Sequence, residues 1–105
     1  MASERNATKI AGMRAAVEEL VPLLTAHAQE HDGRYILFGS AVRGDMRRNS
    51  DVDILVDFSM DAELDAWLFA ETLCFERDLR PDIHIRAWCT DRFVKRVEAE
   101  GRVLR

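Results

Sequence analysis

The chain has 105 residues, 48% of them hydrophobic and 32% charged, a balance that suits one folded domain over residues 1–105 and excludes a disordered chain. Fifteen Lys and Arg against nineteen Asp and Glu leave a net charge of -4, so strong nucleic-acid binding through bulk electrostatics is not expected. Two cysteines, Cys74 and Cys89, supply neither a disulfide framework nor a zinc motif, and their apolar surroundings mark them as reduced core residues. The opening MASERNATK lacks the apolar core of a signal peptide, and no apolar run is long enough to cross a membrane. A cytoplasmic domain is therefore expected, in which the sequon Asn6-Ala7-Thr8 has no meaning. Its local basic run is RGDMRR, Arg43 to Arg48.

Ile10, Met13, Val17, Leu20, Val21, Leu24 and Ala28 recur at helical spacing and predict an amphipathic helix from about 8 to 31, ended by Asp32-Gly33. Pro22 should kink or split it, and the apolar register that continues past the proline favours a kink. RYILF, 34–38, predicts a strand ending at Gly39-Ser40, with a possible helical turn following. DVDILVDF, 51–58, alternates: Val52, Ile54, Val56 and Phe58 face one way, and Asp51, Asp53, Leu55 and Asp57 the other. Residues 62–79 predict a helix apolar on nearly all sides, with Leu64, Trp67, Leu68 and Phe75 on one face and Phe69 and Leu73 opposite. Such a helix is either deeply buried or covered by a partner, and a partner surface around Trp67, Phe69 and Leu73 is the expectation. A third strand is predicted over 82–88, and a last helix over 91–100, capped by Thr90 or Asp91 and closed by Gly101.

Three features carry chemistry. Asp51 and Asp53 sit two apart on a strand, with Cα atoms about 6.5 Å apart on one face, so their carboxylates can converge on a hard cation such as Mg²⁺. Like charges about 4 Å apart repel by roughly 4 kcal/mol near a protein surface. Asp82 joining them from a neighbouring strand would force proton uptake or demand a cation. Gly39-Ser40 offers close backbone approach, a hydroxyl and N–H groups to an anion. Neither a Walker A loop nor a dinucleotide fingerprint is present. His84 alternates with Asp82 and either lines the site or packs across strands. His27 and His31 match an H-x-x-E-H spacing, but without a third ligand they read as a surface helix end.

Taken together, GSAVRGDMRRNSDVDILVDF resembles the minimal nucleotidyltransferases of the polymerase-β-like superfamily, whose signature is G-S, about ten residues, then D-x-D. Ala41-Val42-Arg43-Gly44 stands for the ARG-like segment, with valine where alanine is commoner. Ser50-Asp51-Val52-Asp53 keeps the S-D-x-D junction, and Arg80 to Ile85 resembles the strand of the third carboxylate. The resemblance implies an α/β (more strictly α+β) fold with a small mixed sheet flanked by helices. It implies transfer of a nucleoside monophosphate from an NTP such as ATP to a hydroxyl, releasing pyrophosphate. Asp51 and Asp53 would bind two Mg²⁺ ions, and Asp82 would complete the second site and help deprotonate the acceptor. Gly39 and Ser40 would hold the outer phosphates, Ser50 would join the nucleotide-binding set, and Arg43 would contact phosphate or brace the loop.

With little room for a second domain, the acceptor is expected to bring its own binding surface, which favours a protein. Minimal family members often act as antitoxins that adenylylate a HEPN-domain RNase toxin, so the resemblance implies such a partner, contacted partly through the 62–79 helix. A non-catalytic module that neutralises its partner by contact is the alternative. A transferase that modifies small-molecule antibiotics is the third possibility, weakened by the absence of a second domain.

Overall fold

A computed structural model describes residues 2–105. Helix α1 spans Ala2–Glu30, strand β1 Arg34–Phe38, the short helix α2 Ser40–Arg43, and strand β2 Val52–Asp57. Helix α3 follows over Met60–Phe75, strand β3 over Pro81–Ile85, helix α4 over Asp91–Glu100, and strand β4 over Arg102–Leu104. The sheet has the order β3-β2-β1-β4. β1 pairs antiparallel with β2 and with β4, while β2 and β3 run parallel through the α3 crossover. This is the small mixed sheet flanked by helices that the sequence predicts.

Alternation divides the core between the two faces of the sheet. Tyr35, Leu37, Val52, Ile54 and Val56 pack under α1 and α3 with Leu20, Leu24, Ala66 and Ala70. Ile36, Phe38 and Leu55 face the other way, against Val94 and Val97 of α4. Both faces of β2 are thus covered, and Leu55 is fully buried among the aspartates of its own face. The Tyr35 hydroxyl reaches across the first layer and donates to the Ala66 carbonyl at 2.7 Å. Thr90 caps α4 by accepting from the Phe93 N–H at 3.1 Å, a contact worth about 1 kcal/mol.

Several boundaries differ from expectation for identifiable reasons. α1 begins earlier than predicted, while at exposed Pro22 it continues as one helix and is not split, the alternative that the continuing apolar register favours. α3 stops at Phe75 rather than 79. Asp78 adopts a left-handed conformation (φ 55°) and the Leu79 N–H closes back on the Cys74 carbonyl at 2.9 Å. α1 ends in the same way, with Asp32 left-handed (φ 53°) and the Gly33 N–H bonded to the Ala28 carbonyl at 2.9 Å. Arg86–Trp88 form a 3-10 turn instead of prolonging β3.

The exposed apolar face of α3 is not the one expected. Leu73 belongs to the core, Phe69 stacks on His27 with ring centroids 4.3 Å apart, and half-buried Trp67 meets Trp88 edge-on. The exposed apolar stripe consists instead of Met60, Leu64, Leu68 and Phe75, of which Met60 is 85% and Phe75 61% exposed. Ala66, Ala70 and Leu73 on the buried side set that register. Cys74 is buried as expected, and burial pushes its thiol up to about 11, while Cys89 is half-buried. Among the described residues, no helix is long and apolar enough to cross a membrane.

Candidate active site

The site is built by strand register. β2 and β3 place Asp53 beside Asp82 and Leu55 beside His84, while the β1–β2 pairing sets Phe38 opposite Asp53. Gly39 therefore emerges next to the Asp53 side chain. Its backbone (φ 73°, ψ -150°) lies in a region essentially restricted to glycine, and a Cβ there would collide with the Asp53 carboxylate. The chain turns at this point into α2, with the Gly39 carbonyl accepting from the N–H groups of Val42 and Arg43 at 3.1 and 3.0 Å. Glycine is required here by both the dihedral angles and the close approach.

Asp53, Asp82 and His84 each offer one ligand atom within 4.8 Å of the others. His84 Nε2 stands 3.4 Å from Asp82 Oδ1, and its ring is flanked by Phe38 and Phe93 at centroid distances of 5.6 and 5.4 Å. The three side chains line a cleft of about 400 Å³ with Phe38, Gly39, Arg43, Phe93, Arg96 and Glu100. The Asp53 carboxyl is pushed up to about 6, first by burial, then by hydrogen bonding to and repulsion from Asp82. His84 opposes that rise. Two crowded carboxylates of this kind share a proton or meet a cation, and two oxygen donors with one imidazole suit a divalent metal.

Asp51 is outside this trio, although its charge adds to the rise at Asp53. It precedes the first paired residue of β2, where the Val52 N–H bonds to the Arg80 carbonyl at 2.7 Å, and its half-exposed carboxylate faces Arg80 Nε at 3.4 Å. A second groove, lined by Asp51, Glu71, Phe75, Arg80, Pro81 and Asp82, joins Asp51 to the site through Asp82. Asp82 is thus common to both depressions. Ser40 opens α2 at the rim, and Arg43 is exposed, 3.4 Å from Asp45. The Ser50 hydroxyl accepts from the Arg47 N–H at 2.7 Å and so closes the loop before β2.

Phe93, Arg96 and Glu100 escaped the sequence reading. They lie three and four residues apart on α4, beside the buried stripe of Val94 and Val97, and that spacing was the available signal. His27 and His31 lie far along α1 from this trio, with ring centroids 4.3 Å apart. His27 packs inward against Phe69 and Phe58 rather than forming a surface helix end.

Fold and site define an α/β protein whose adjacent parallel strands carry paired carboxylates against a glycine turn. Residues 13–104 match the nucleotidyltransferase domain family, and the chain belongs to that family. A segment of 47 residues is 49% identical to the protein adenylyltransferase MntA of Thermococcus cleftensis. It covers 40% of this chain and about half, 48%, of that relative. A structure assigned as a minimal nucleotidyltransferase superposes with a TM-score of 0.69 at 24% identity, over 85% of this chain and 93% of that one. A toxin–antitoxin crystal structure with AMP-PNP superposes with a TM-score of 0.60 at 23% identity, over 88% and 72%. At these identities both structures establish the shared fold.

Proposed function

We propose that this protein is a divalent-cation-dependent nucleotidyltransferase that moves an adenylyl group from ATP to a hydroxyl of a partner protein. The observation that carries this reading is the register of Asp53 beside Asp82, against Gly39, in a chain of the nucleotidyltransferase domain family. Asp53 and Asp82 would hold the cation, Mg²⁺ in the simplest case, with Asp51 available to a second ion from the adjoining groove. When bound, the metal supplies neutralisation of the charge on the transferring phosphate.

The chain's own residues account for the rest. Gly39 and Ser40 receive the outer phosphates, and Arg43 and Arg96 on the cleft wall offset their charge. Ser50 serves the nucleotide by fixing the loop that leads into Asp51. The acceptor oxygen attacks the α-phosphorus, the bond to the β-phosphate breaks, pyrophosphate leaves, and an Asp82 carboxylate oxygen takes the hydroxyl proton.

The groove containing Asp51 and Asp82 is bordered by Phe75, the last member of the exposed α3 stripe. A protein seated on Met60, Leu64 and Leu68 would therefore lie beside the reacting centre, which supports a protein acceptor. A HEPN-domain toxin in the cytoplasm is the partner we assign. The relative described as a protein adenylyltransferase and the toxin–antitoxin structure with AMP-PNP support that choice. A second reading, a module that neutralises its partner by contact alone, is favoured by the engagement of Asp51 with Arg80.

One experiment separates the two. The protein is incubated with Mg-ATP and the product of its neighbouring gene, and intact masses of both chains are recorded. An adenylyl adduct on the partner, absent with Asp53→Asn, is the expected result. A stable complex with no adduct would overturn the transferase reading in favour of the contact module.

A further inference from the structure

Within the cleft, the side chain that distinguishes this site from a purely acidic one is His84. It offers a ligand nitrogen within 4.8 Å of a carboxylate oxygen of Asp53 and of Asp82, and its Nε2 stands 3.4 Å from Asp82 Oδ1. β3 presents residues 82 and 84 on one face, and the parallel register sets Asp53 beside Asp82, so the three donors come from two hydrogen-bonded strands. The imidazole is also held in place. Phe38 and Phe93 flank it at 5.6 and 5.4 Å and meet each other edge-on at 5.8 Å, which limits the rotation of His84 about its side-chain bonds. Only a third of the His84 side chain is exposed.

Donor chemistry then decides which ion such a site prefers. Mg²⁺ is small and hard, keeps most of its water, and takes carboxylate and phosphate oxygens. An imidazole nitrogen is a softer donor that suits first-row transition ions, and a mixed set of two carboxylates and one imidazole ranks them above Mg²⁺. Mn²⁺ accepts both donor types. We propose that His84 is a third, nitrogen ligand of the cation held by Asp53 and Asp82, and that it makes this site select Mn²⁺ over Mg²⁺. The inference rests on the metal-dependent reading of the cleft and adds to it the identity of the preferred ion.

The test reads the metal directly. Mn²⁺ is added to the intact protein with inorganic tripolyphosphate, a nitrogen-free stand-in for the nucleotide's phosphates. Pulsed electron paramagnetic resonance then looks for the strong ¹⁴N modulation of a coordinated imidazole. The expected result is one bound Mn²⁺ showing that modulation, and its replacement by a ¹⁵N pattern when histidine is ¹⁵N-labelled. Titration with Mg²⁺ should displace the Mn²⁺ only at about tenfold or greater excess. In His84→Gln the nitrogen signature should vanish and the preference for Mn²⁺ should narrow by about tenfold, since the remaining donors are all oxygens. Mn²⁺ bound to the wild-type protein without ¹⁴N modulation would overturn the role of His84 and leave the transferase reading standing. Failure of the wild-type protein to bind either ion, with or without tripolyphosphate, would overturn both. Absence of ¹⁴N modulation in the wild-type spectrum overturns the proposal even where His84→Gln folds poorly.

Discussion

Gly39 is the position where the fold and the site depend on one atom, and Gly39→Ala tests that dependence. Its φ of 73° and ψ of -150° lie where side-chain-bearing residues are nearly absent, so the backbone alone should cost about 1–3 kcal/mol. The added methyl also enters the space of the Asp53 carboxylate, which must shift from its place beside Asp82 to admit it. Gly44→Ala is the matched control. Gly44 is also left-handed (φ 85°, ψ 13°), but a Cβ there meets nothing within 4 Å, so only the conformational cost of about 1 kcal/mol applies. Urea unfolding should show Gly39→Ala less stable than Gly44→Ala. Calorimetric titration with Mn²⁺ should show affinity reduced by about tenfold or more in Gly39→Ala and unchanged in Gly44→Ala. Equal stability and equal metal affinity in the two variants would refute the claim that Gly39 positions Asp53.

Two further outcomes follow from half-buried ionisable groups. Asp53→Asn should stabilise the metal-free protein at neutral pH while abolishing metal binding. The Asp53 carboxyl is raised to about 6 in the folded chain, so its penalty is full above that pH and disappears below the unfolded value of 3.8. Full linkage over that window is worth about 3 kcal/mol, and screening in an open cleft reduces it to about 1 kcal/mol. Urea midpoints of the two proteins should therefore differ at pH 7.5 and converge towards pH 4, and a variant less stable than wild type at pH 7.5 would contradict this. His27 acts in the opposite sense. Burial, then His31, lower its pKa against the weaker pull of Glu30 and Asp65, and its buried Nε2 has no hydrogen-bond partner among the described residues. The unfolded chain binds the proton more readily, so stability should fall as pH drops below 6.5. The midpoint difference between wild type and His27→Phe should change between pH 7.5 and 5.5 with that sign, and a constant difference would exclude His27 as the cause.

Those parts of the fold and site that rest on local rules were legible in the sequence. Strict alternation in 51–58 assigned the faces of β2 correctly, and the D-G at 32–33 marked the end of α1. The paired aspartates and the glycine turn were visible because their chemistry depends on residue type and short spacing. What escaped depends on tertiary neighbours. β4 has only three residues, too few to show a period, and exists because Tyr35 and Leu37 of β1 offer it partners in Leu104 and Arg102. The end of α3 was hidden because Asp78, not a glycine, takes the left-handed position. The buried and exposed sides of α3 could not be told apart by hydrophobicity alone, since both are apolar. Only its packing on the sheet decides that Ala66, Ala70 and Leu73 go inward and Met60, Leu64 and Leu68 outward.

The separation of Asp51 from the trio has a similar origin, and it bears on how the site works. An i, i+2 pair on a regular strand shares a face, but Asp51 sits one residue before the ladder begins, where the Arg80 carbonyl takes the first N–H of β2. Its side chain is therefore not oriented by the ladder that orients Asp53. Asp53, by contrast, is fixed by pairing on both sides, with Phe38 on β1 and Asp82 on β3. The acidic groups divide into a rigid element inside the sheet and a looser one at its edge. A cation at Asp53 and Asp82 would meet donors already in place, whereas a second ion at Asp51 would compete with Arg80 for the carboxylate. That competition is weak, because the Asp51–Arg80 pair is exposed and worth at most about 1 kcal/mol. The groove shared by Asp51, Asp82 and Phe75 places that adjustable element where a partner docked on α3 would arrive.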